Sequence, residues 1–250
     1  GLDNPDTEGK NKNEYQMLFR LLNPEHCELS QDIIKVAGES YEMEQVIETP
    51  HLWWPNGLGG QPLYLVQLIF YRGEEELWQK EYTIGLRTLT VSREKDAWGS
   101  EFAFMINGVK IFTKGANYIP EDCIYPNIDA ERLEYLTDCA IRANYNCLRI
   151  WGGGYYPSDR FYDLCDRKGL IIWQDFMFAC NAYDVTDAFA ENIVHEVIDN
   201  VRRLRHHACL GLWCGNNEME SAWVNWDGFK NEKPALKADY IKLFEHILPK

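Results

Sequence analysis

The sequence predicts a β-rich domain followed by a parallel α/β domain. Residues 1–93 contain short segments rich in Val, Ile, Leu, Tyr and Phe, separated by turn residues, a pattern typical of an antiparallel sandwich. From Glu101 onward, short apolar strands alternate with helical patterns, which indicates parallel β/α units. One apolar run stops abruptly at Asn216, Asn217 and Glu218, as expected where a buried strand delivers polar side chains into a site.

Four strands are predicted in the β-rich part, and turn clusters at Asn23-Pro24 and at residues 54–60 separate them. The hydrophilic segment Arg93–Ser100 follows and is interpreted as a linker. The predicted strands are Glu14–Leu22, Tyr41–Thr49, Leu63–Tyr71 and Trp78–Ser92.

The α/β part opens with a predicted hairpin, Phe104–Phe112, which turns at Asn107-Gly108. Four short apolar strands follow, and each is followed by a helical pattern or the start of one. These strands are Gly115–Tyr118, Cys147–Trp151, Leu170–Asp175 and Cys209–Cys214.

The helices between these strands carry recognisable start and stop signals. Asp129 is expected to cap the first helix, and Ser158 and Gly169 are expected to begin and end the second. The third helix is predicted from about Asp187 to Arg205, because its apolar residues fall on one face.

Four β/α units are too few for a closed barrel, which needs eight units over roughly 250 residues. The chain ends at Lys250, inside a pattern that continues the helix after the fourth strand. We therefore expect a fragment of a longer protein, with a barrel that is open at its first and fourth strands. Exposed strand edges of this kind are expected to allow self-association.

Composition argues against several classes of partner. The net charge of −14 disfavours nucleic acid and anionic membranes, because both require clustered Lys and Arg. No apolar run is long enough to span a bilayer. The eight cysteines lie mostly in apolar or helical patterns, which indicates free, buried thiols in a reducing compartment. Since the chain also has no Asn-X-Ser/Thr sequon, a cytoplasmic location is predicted.

The candidate site residues share one position, the carboxyl end of a predicted strand, where barrel enzymes place their chemistry. Glu218 is the candidate acid, and Asn217 is its substrate-holding neighbour. Carboxylates transfer protons, amides and Arg bind hydroxyls, and indoles offer an apolar face, so this set fits a sugar pocket. The remaining members are Asn117, Glu121, Arg149, Trp151 and Asp175.

Each candidate also has a purely structural interpretation. Arg149 could simply neutralise a buried Asp175, and Glu121 could be a loop carboxylate without a role. The run that ends at Glu218 could be a strand followed by a polar turn. Several tryptophans could be packing residues, namely Trp53, Trp54, Trp151, Trp173, Trp223 and Trp226.

No metal and no cofactor are expected. His206, His207, Cys209 and Cys214 match no common zinc spacing, and the two cysteines are predicted to lie on opposite faces of their strand. The three glycines at residues 152–154 follow a strand, but the phosphate-binding signatures do not accompany them. These glycines are expected to let the backbone turn sharply or approach a ligand.

Five segments of the chain resemble motifs of the β-mannosidases in glycoside hydrolase family 2. The forms Trp-Gln-Asp-Phe and Cys-Gly-Asn-Asn-Glu are more similar to β-mannosidases than to the β-galactosidases or β-glucuronidases of that family. One departure is His207-Ala208, where the family usually has His-Pro. The matching segments are Trp53–Gly59, Lys114–Pro120, Leu148–Gly154, Trp173–Cys180 and Leu212–Glu218.

The resemblance implies an immunoglobulin-like β-sandwich over residues 1–93 and the N-terminal half of a (β/α)8 TIM barrel over residues 94–250. It implies hydrolysis of terminal non-reducing β-D-mannose residues, with β-mannoside oligosaccharides or glycans as partners, and an inactive chain when the rest of the enzyme is absent. Two alternatives stay open. One is exo-hydrolysis of another β-linked sugar, such as glucosamine or galactose, and the other is a carbohydrate-binding module without turnover.

The resemblance also implies roles for individual residues in a retaining double displacement. Glu218 would be the acid/base, and Asn217 would contact the sugar 2-hydroxyl. Arg149 would support the nucleophile, a second Glu that would lie beyond residue 250. Trp151 and Trp226 would wall the −1 subsite.

Overall fold

The computed structural model describes residues 14–38, 40–226 and 234–250, which fall into two compact units. The first comprises Gly1–Trp53 and Pro62–Leu86, and the second comprises Trp54–Gln61 and Arg87–Lys250. The first unit is built of β-strands, and the second contains a parallel sheet with helices. The predicted fold class, a β-sandwich domain followed by part of a (β/α)8 barrel, is therefore confirmed. Residues 1–13 of the predicted sandwich lie outside the described residues.

The strands described in the first unit are β1 (Tyr15–Leu22), β2 (Glu28–Lys35), β3 (Tyr64–Arg72) and β4 (Glu75–Ile84). They form an antiparallel sheet in the order β2-β1-β3-β4, and Leu18, Leu21 and Tyr64 are buried. Gly73 takes a positive φ of 62° between β3 and β4, a backbone conformation that glycine adopts without steric cost.

Two predictions for this part of the chain are wrong. Tyr41–Thr49 forms no strand, and the Tyr41 hydroxyl instead accepts hydrogen bonds from the N–H groups of Ala37 and Gly38. Trp78–Ser92 is not one strand, because β4 ends at Ile84 and a separate strand, β5, covers Leu89–Ser92. The sequence also fails to predict β2, whose residues are mostly exposed and largely polar.

The second unit contains an antiparallel sheet of β5, β6 (Ala103–Ile106) and β7 (Val109–Ile111), in that order. Asn107 and Gly108 have φ values of 48° and 79°, so the predicted hairpin turn is confirmed. The segment predicted as a linker, Arg93–Ser100, instead connects β5 to its antiparallel partner β6 within this unit.

The parallel sheet of the second unit contains β8 (Gly115–Tyr118), β9 (Cys147–Ile150), β10 (Ile171–Asp175) and β11 (Leu210–Cys214). Its strand order is β11-β10-β9-β8, so the predicted first and fourth strands are the outer ones. The α-helices among the described residues are α1 (Ala130–Arg142), α2 (Asp159–Lys168), α3 (Asp187–Leu204), α4 (Met219–Asn225) and α5 (Pro234–Ile241), and a π-helix covers Lys242–Ile247. No described helix is both long and apolar enough to cross a membrane.

The predicted helix boundaries are confirmed, and their caps act largely as expected. Asp129 Oδ1 accepts a hydrogen bond from the Arg132 N–H at 2.6 Å at the start of α1. Ser158 occupies the N-cap of α2, but its side chain makes no capping hydrogen bond. Gly169 ends α2 in the left-handed conformation, with φ of 74°.

The buried core beside the parallel sheet lies where α2 packs against β10. Phe161 and Cys165 of α2 and Ile171 and Ile172 of β10 are all 0% exposed, because β10 is buried on both faces and its sequence is apolar throughout its first half. Buried Tyr162 donates its hydroxyl hydrogen to Gln174 Oε1 at 2.6 Å. The carboxyl end of β10 is thereby fixed against a helix, which holds the neighbouring strand ends in place.

We expect Gly169→Ala to destabilise the second unit markedly. A Cβ at this position would lie 2.5 Å from the backbone nitrogen of Asn56, and the left-handed conformation itself costs an L-residue about 1–2 kcal/mol. Gly108→Ala is the matched control, because Gly108 has φ of +79° but no atom within 4 Å of an added Cβ. Urea unfolding should show the larger loss for Gly169→Ala. Equal losses would mean that the approach to Asn56 contributes nothing.

Candidate active site

Arg149 occupies the centre of the carboxyl end of the parallel sheet. It lies in β9, between Asn117 of β8 and Trp173 of β10 in the strand register. Arg149 Nε donates to Asp175 Oδ1 at 3.1 Å, and Nη2 donates to Asp175 Oδ2 at 2.7 Å. This paired geometry is the strongest form of an Arg–carboxylate contact.

The same guanidinium joins two amides from the outer strands. Arg149 Nη2 donates to Asn217 Oδ1 at 2.9 Å, and Nη1 reaches Asn117 Oδ1 at 3.4 Å. Four of the predicted site residues, Asn117, Arg149, Asp175 and Asn217, therefore meet at one point. Each comes from a different strand or strand end, as the alternation of β/α units predicts.

Asp175 is the most enclosed member of this group. Its side chain is 0% exposed, whereas that of Arg149 is 25% exposed. Asp175 Oδ2 also accepts a hydrogen bond from the backbone N–H of Gly152 at 3.1 Å. A buried carboxylate needs such partners, because removing a charge from water is costly unless it is paired. The structural interpretation of Arg149, neutralisation of Asp175, thus applies alongside any role with substrate.

Glu218 lies directly after Asn217, with its side chain exposed to solvent. Its backbone is left-handed, with φ of 60° and ψ of 10°, at the start of α4. This conformation is rare and costly for a residue other than glycine, and such strain gathers at functional sites. The flanking groups hold it: Asn217 N donates to Phe178 O at 2.9 Å, and Met219 N donates to Asn216 Oδ1 at 3.0 Å.

Trp151 and Trp226 lie just beyond β9 and α4, and both are partly buried. The indole of Trp151 covers Gly153, because a Cβ on Gly153 would come within 2.1 Å of the ring. This close contact explains one of the three consecutive glycines. Trp226 ends α4 and donates its backbone N–H to Ala222 O at 3.0 Å. That the two indoles face one cavity together with Glu218 stays a prediction.

Glu121 is held by two tyrosines that the sequence does not single out. The hydroxyls of Tyr118 and Tyr155 both donate to its carboxylate, the latter at 2.9 Å. Burial raises the pKa of both phenols well above the usual range, and the hydrogen bonds to Glu121 are the second-largest cause. Tyr118 could have been found, since it ends β8 beside Asn117, but Tyr155 comes from a loop without any periodic signal.

A second polar cluster lies at the opposite, amino end of the strands. Asp166 Oδ2 lies 2.7 Å from His207 Nδ1, and Asp166 Oδ1 accepts the Cys209 N–H at 2.7 Å. All three residues are buried. Burial and the adjacent carboxylate raise the pKa of the Cys209 thiol. The hydrogen bonds of Asp166 fit a structural anchor for the start of β11.

All eight cysteines lie among the described residues, and all are free. Cys147, Cys165 and Cys209 are buried, as expected from their apolar surroundings. The three exposed cysteines, Cys27, Cys123 and Cys180, do not fit the expectation of buried thiols.

Comparison with known proteins gives consistent matches. Residues 5–87 match the sequence model of the glycosyl hydrolases family 2. The chain is 37% identical over 231 residues to β-mannosidase B of Aspergillus clavatus, covering 89% of this chain and 27% of that protein. It is 35% identical over 245 residues to β-mannosidase B of Emericella nidulans, covering 95% of this chain and 29% of that protein.

A comparison of the fold with solved structures agrees with the sequence matches. The crystal structure of the β-D-mannosidase from Dictyoglomus thermophilum aligns with a TM-score of 0.86 and 33% identity, covering 95% of this chain and 29% of that one. The chain therefore spans less than a third of the length of each of these three relatives.

Proposed function

The chain belongs to glycosyl hydrolase family 2, and we propose that the whole protein releases terminal β-D-mannose residues from the non-reducing ends of glycans. The observation that carries this proposal is the meeting of Asn117, Arg149, Asp175 and Asn217 beside Glu218. Amides and a guanidinium suit sugar hydroxyls, and an accessible carboxyl suits proton transfer. The β-mannosidases that resemble this chain support mannose as the sugar.

Glu218 is proposed as the acid/base of a retaining double displacement. In the first step it would give its proton to the glycosidic oxygen, while a second carboxylate attacks the anomeric carbon and the bond to the leaving group breaks. In the second step Glu218 would take a proton from water, which attacks the same carbon, breaks its bond to the second carboxylate and so releases mannose. The second carboxylate, about 5–5.5 Å away in retaining enzymes, is proposed to lie beyond residue 250.

Asn217 is proposed to hold the sugar 2-hydroxyl through its amide nitrogen. Its Oδ1 already accepts a hydrogen bond from Arg149 at 2.9 Å, so the side-chain NH₂ is the group suited to bind a hydroxyl as donor. Arg149 would then be a positioning residue, because its hydrogen bonds would hold the Asn217 amide and the Asp175 carboxylate near the reacting centre. Trp151 and Trp226 are proposed as the apolar walls.

The reaction is tested with the whole protein and 4-nitrophenyl glycosides of β-mannose, β-glucosamine and β-galactose. We expect the mannoside to give the highest kcat/KM, and proton NMR to show β-mannose as the first product. Preference for another glycoside would overturn the sugar assignment, and α-mannose as first product would overturn retention. Mannose binding by calorimetry without any turnover would favour the carbohydrate-binding module.

A further inference from the structure

The loop that follows β10 aligns the backbone of Asn217. Asn217 N donates to Phe178 O at 2.9 Å, and Asn217 pairs with Ala179 in an isolated parallel bridge that lies outside the strands of the sheet. Glu218 is the next residue along the chain. Its position therefore depends on how the segment of Phe178 and Ala179 is held.

The hydroxyl of Tyr183 holds this segment at Ala179. It accepts a hydrogen bond from Ala179 N at 2.9 Å and donates one to Ala179 O, which lies 3.2 Å away. One side chain thus satisfies both backbone groups of one residue. The next residue, Cys180, has a left-handed backbone with φ of 54°. Such a conformation persists only where the surrounding structure holds it, and the Tyr183 hydroxyl supplies part of that hold.

The ring of Tyr183 is fixed by three other aromatic rings. It meets Phe178 edge to face, with ring centres 5.2 Å apart, and stacks on Phe189 of α3 at 6.3 Å. Phe244 of the π-helix meets it edge to face at 6.5 Å. Burial raises the pKa of the Tyr183 phenol, so the hydroxyl keeps the proton that it donates to Ala179 O. The side chain therefore ties the loop after β10 to α3 and to the π-helix.

Glu218 depends on this support more than the Asn217 side chain does. The backbone of Glu218 is left-handed, with φ of 60°, and its strain must be held by the groups around it. The side-chain amide of Asn217 has an anchor of its own, because its Oδ1 accepts a hydrogen bond from Arg149 Nη2 at 2.9 Å. Loosening the loop after β10 should thus disturb the carboxyl of Glu218 more than the amide of Asn217.

We propose that Tyr183 is a positioning residue, which orients the Glu218 carboxyl through the backbone of the loop after β10. The inference rests on the proposed function, in which Glu218 is the acid/base. Tyr183 acts through the backbone and not on the sugar. It holds the carboxyl where the glycosidic oxygen can receive its proton, and proton transfer requires the donor to lie within hydrogen-bond reach of that oxygen.

The test is Tyr183→Phe in the whole protein, which keeps the ring and removes only the hydroxyl. We expect kcat/KM for β-1,4-mannobiose to fall about tenfold, the equivalent of one hydrogen bond. The value for 2,4-dinitrophenyl β-mannoside should stay within about twofold of wild type, because an activated leaving group departs without a proton. The ratio of the two values, measured on one preparation, does not depend on the folded fraction, so a loss of folding alone leaves it unchanged.

Tyr64→Phe is the matched control. The Tyr64 hydroxyl also accepts a backbone N–H, that of His51 at 2.8 Å, but Tyr64 belongs to the first unit and has no place in the proposed chemistry. It should leave the ratio unchanged. A second measurement combines Tyr183→Phe with Glu218→Gln. Because Tyr183 acts through Glu218, the double variant should hydrolyse mannobiose no more slowly than Glu218→Gln alone.

An unchanged ratio for Tyr183→Phe, an equal change for Tyr64→Phe, or a further loss of about tenfold in the double variant would each overturn the inference. Wild-type hydrolysis of the aryl mannoside upholds the proposed function in all three cases. If the wild-type protein hydrolyses neither mannoside, the proposed function fails and the inference fails with it.

Discussion

Glu218→Gln in the whole protein should reduce hydrolysis of mannosides with poor leaving groups by about 10²–10⁴-fold, the usual contribution of general acid–base catalysis. Gln has the same shape as Glu but supplies no acidic proton, so departure of a sugar alkoxide loses its assistance. An activated aryl mannoside needs no proton for its first step, so that step should be largely retained. The measurement is kcat/KM on β-1,4-mannobiose and on 2,4-dinitrophenyl β-mannoside.

Glu220→Gln is the matched control for this substitution. Glu220 is also exposed and lies two positions along, in the first turn of α4, but it has an ordinary helical position and no place in the proposed chemistry. It should leave both substrates unchanged. Equal and small losses on the two substrates after Glu218→Gln would remove Glu218 from the acid role.

Arg149→Met should lower the free energy of unfolding by about 3–5 kcal/mol, the cost of breaking a buried ion pair from one side. Asp175 would lose both guanidinium bonds at a position that is 0% exposed. The measurement is chemical denaturation followed by tryptophan fluorescence. Arg149→Met/Asp175→Asn should recover part of the loss, because coupled residues give non-additive effects.

Arg160→Met provides the comparison for Arg149→Met. Arg160 pairs with Glu134 at 3.3 Å, and the two side chains are 50% and 52% exposed, so the pair should contribute no more than about 1 kcal/mol. If both variants lose the same small amount, the Arg149–Asp175 pair is no more important for stability than an ordinary surface contact.

The parallel strands were predictable because burial on both faces leaves a continuous apolar run in the sequence. Leu170–Trp173 is such a run, and the structure places the boundaries of its strand, Ile171–Asp175, within one residue of the prediction. Glu28–Lys35 could not be predicted, because it is an edge strand that relies on main-chain pairing with Tyr15–Leu22. Tyr41–Thr49 has the composition of a strand, but its backbone has no strand partner among the described residues.

The site was predictable to the extent that strand ends define it. That rule brings together Asn117, Arg149, Asp175 and Asn217, whose contacts the structure shows. It does not predict the contact of Tyr155 with Glu121, which joins two loops 34 residues apart in the chain. The pairing of Asp166 with His207 spans 41 residues, and neither residue lies in a strand. Contacts of this kind depend on tertiary packing, which local periodicity does not encode.

The position of the Asp166–His207–Cys209 cluster bears on where the sequence of the protein can be varied. It fastens the start of β11 to the end of α2, at the far end of the strand from Asn217 and Glu218. The alignment of β11 thus depends on one set of side chains, and the proposed chemistry depends on another. If the proposed function holds, we expect substitutions at the carboxyl end of the strand to change substrate preference while the amino end is left untouched. For an engineer, the buried histidine is a residue to keep fixed, and residues beyond the carboxyl ends of the strands are the place to diversify a library.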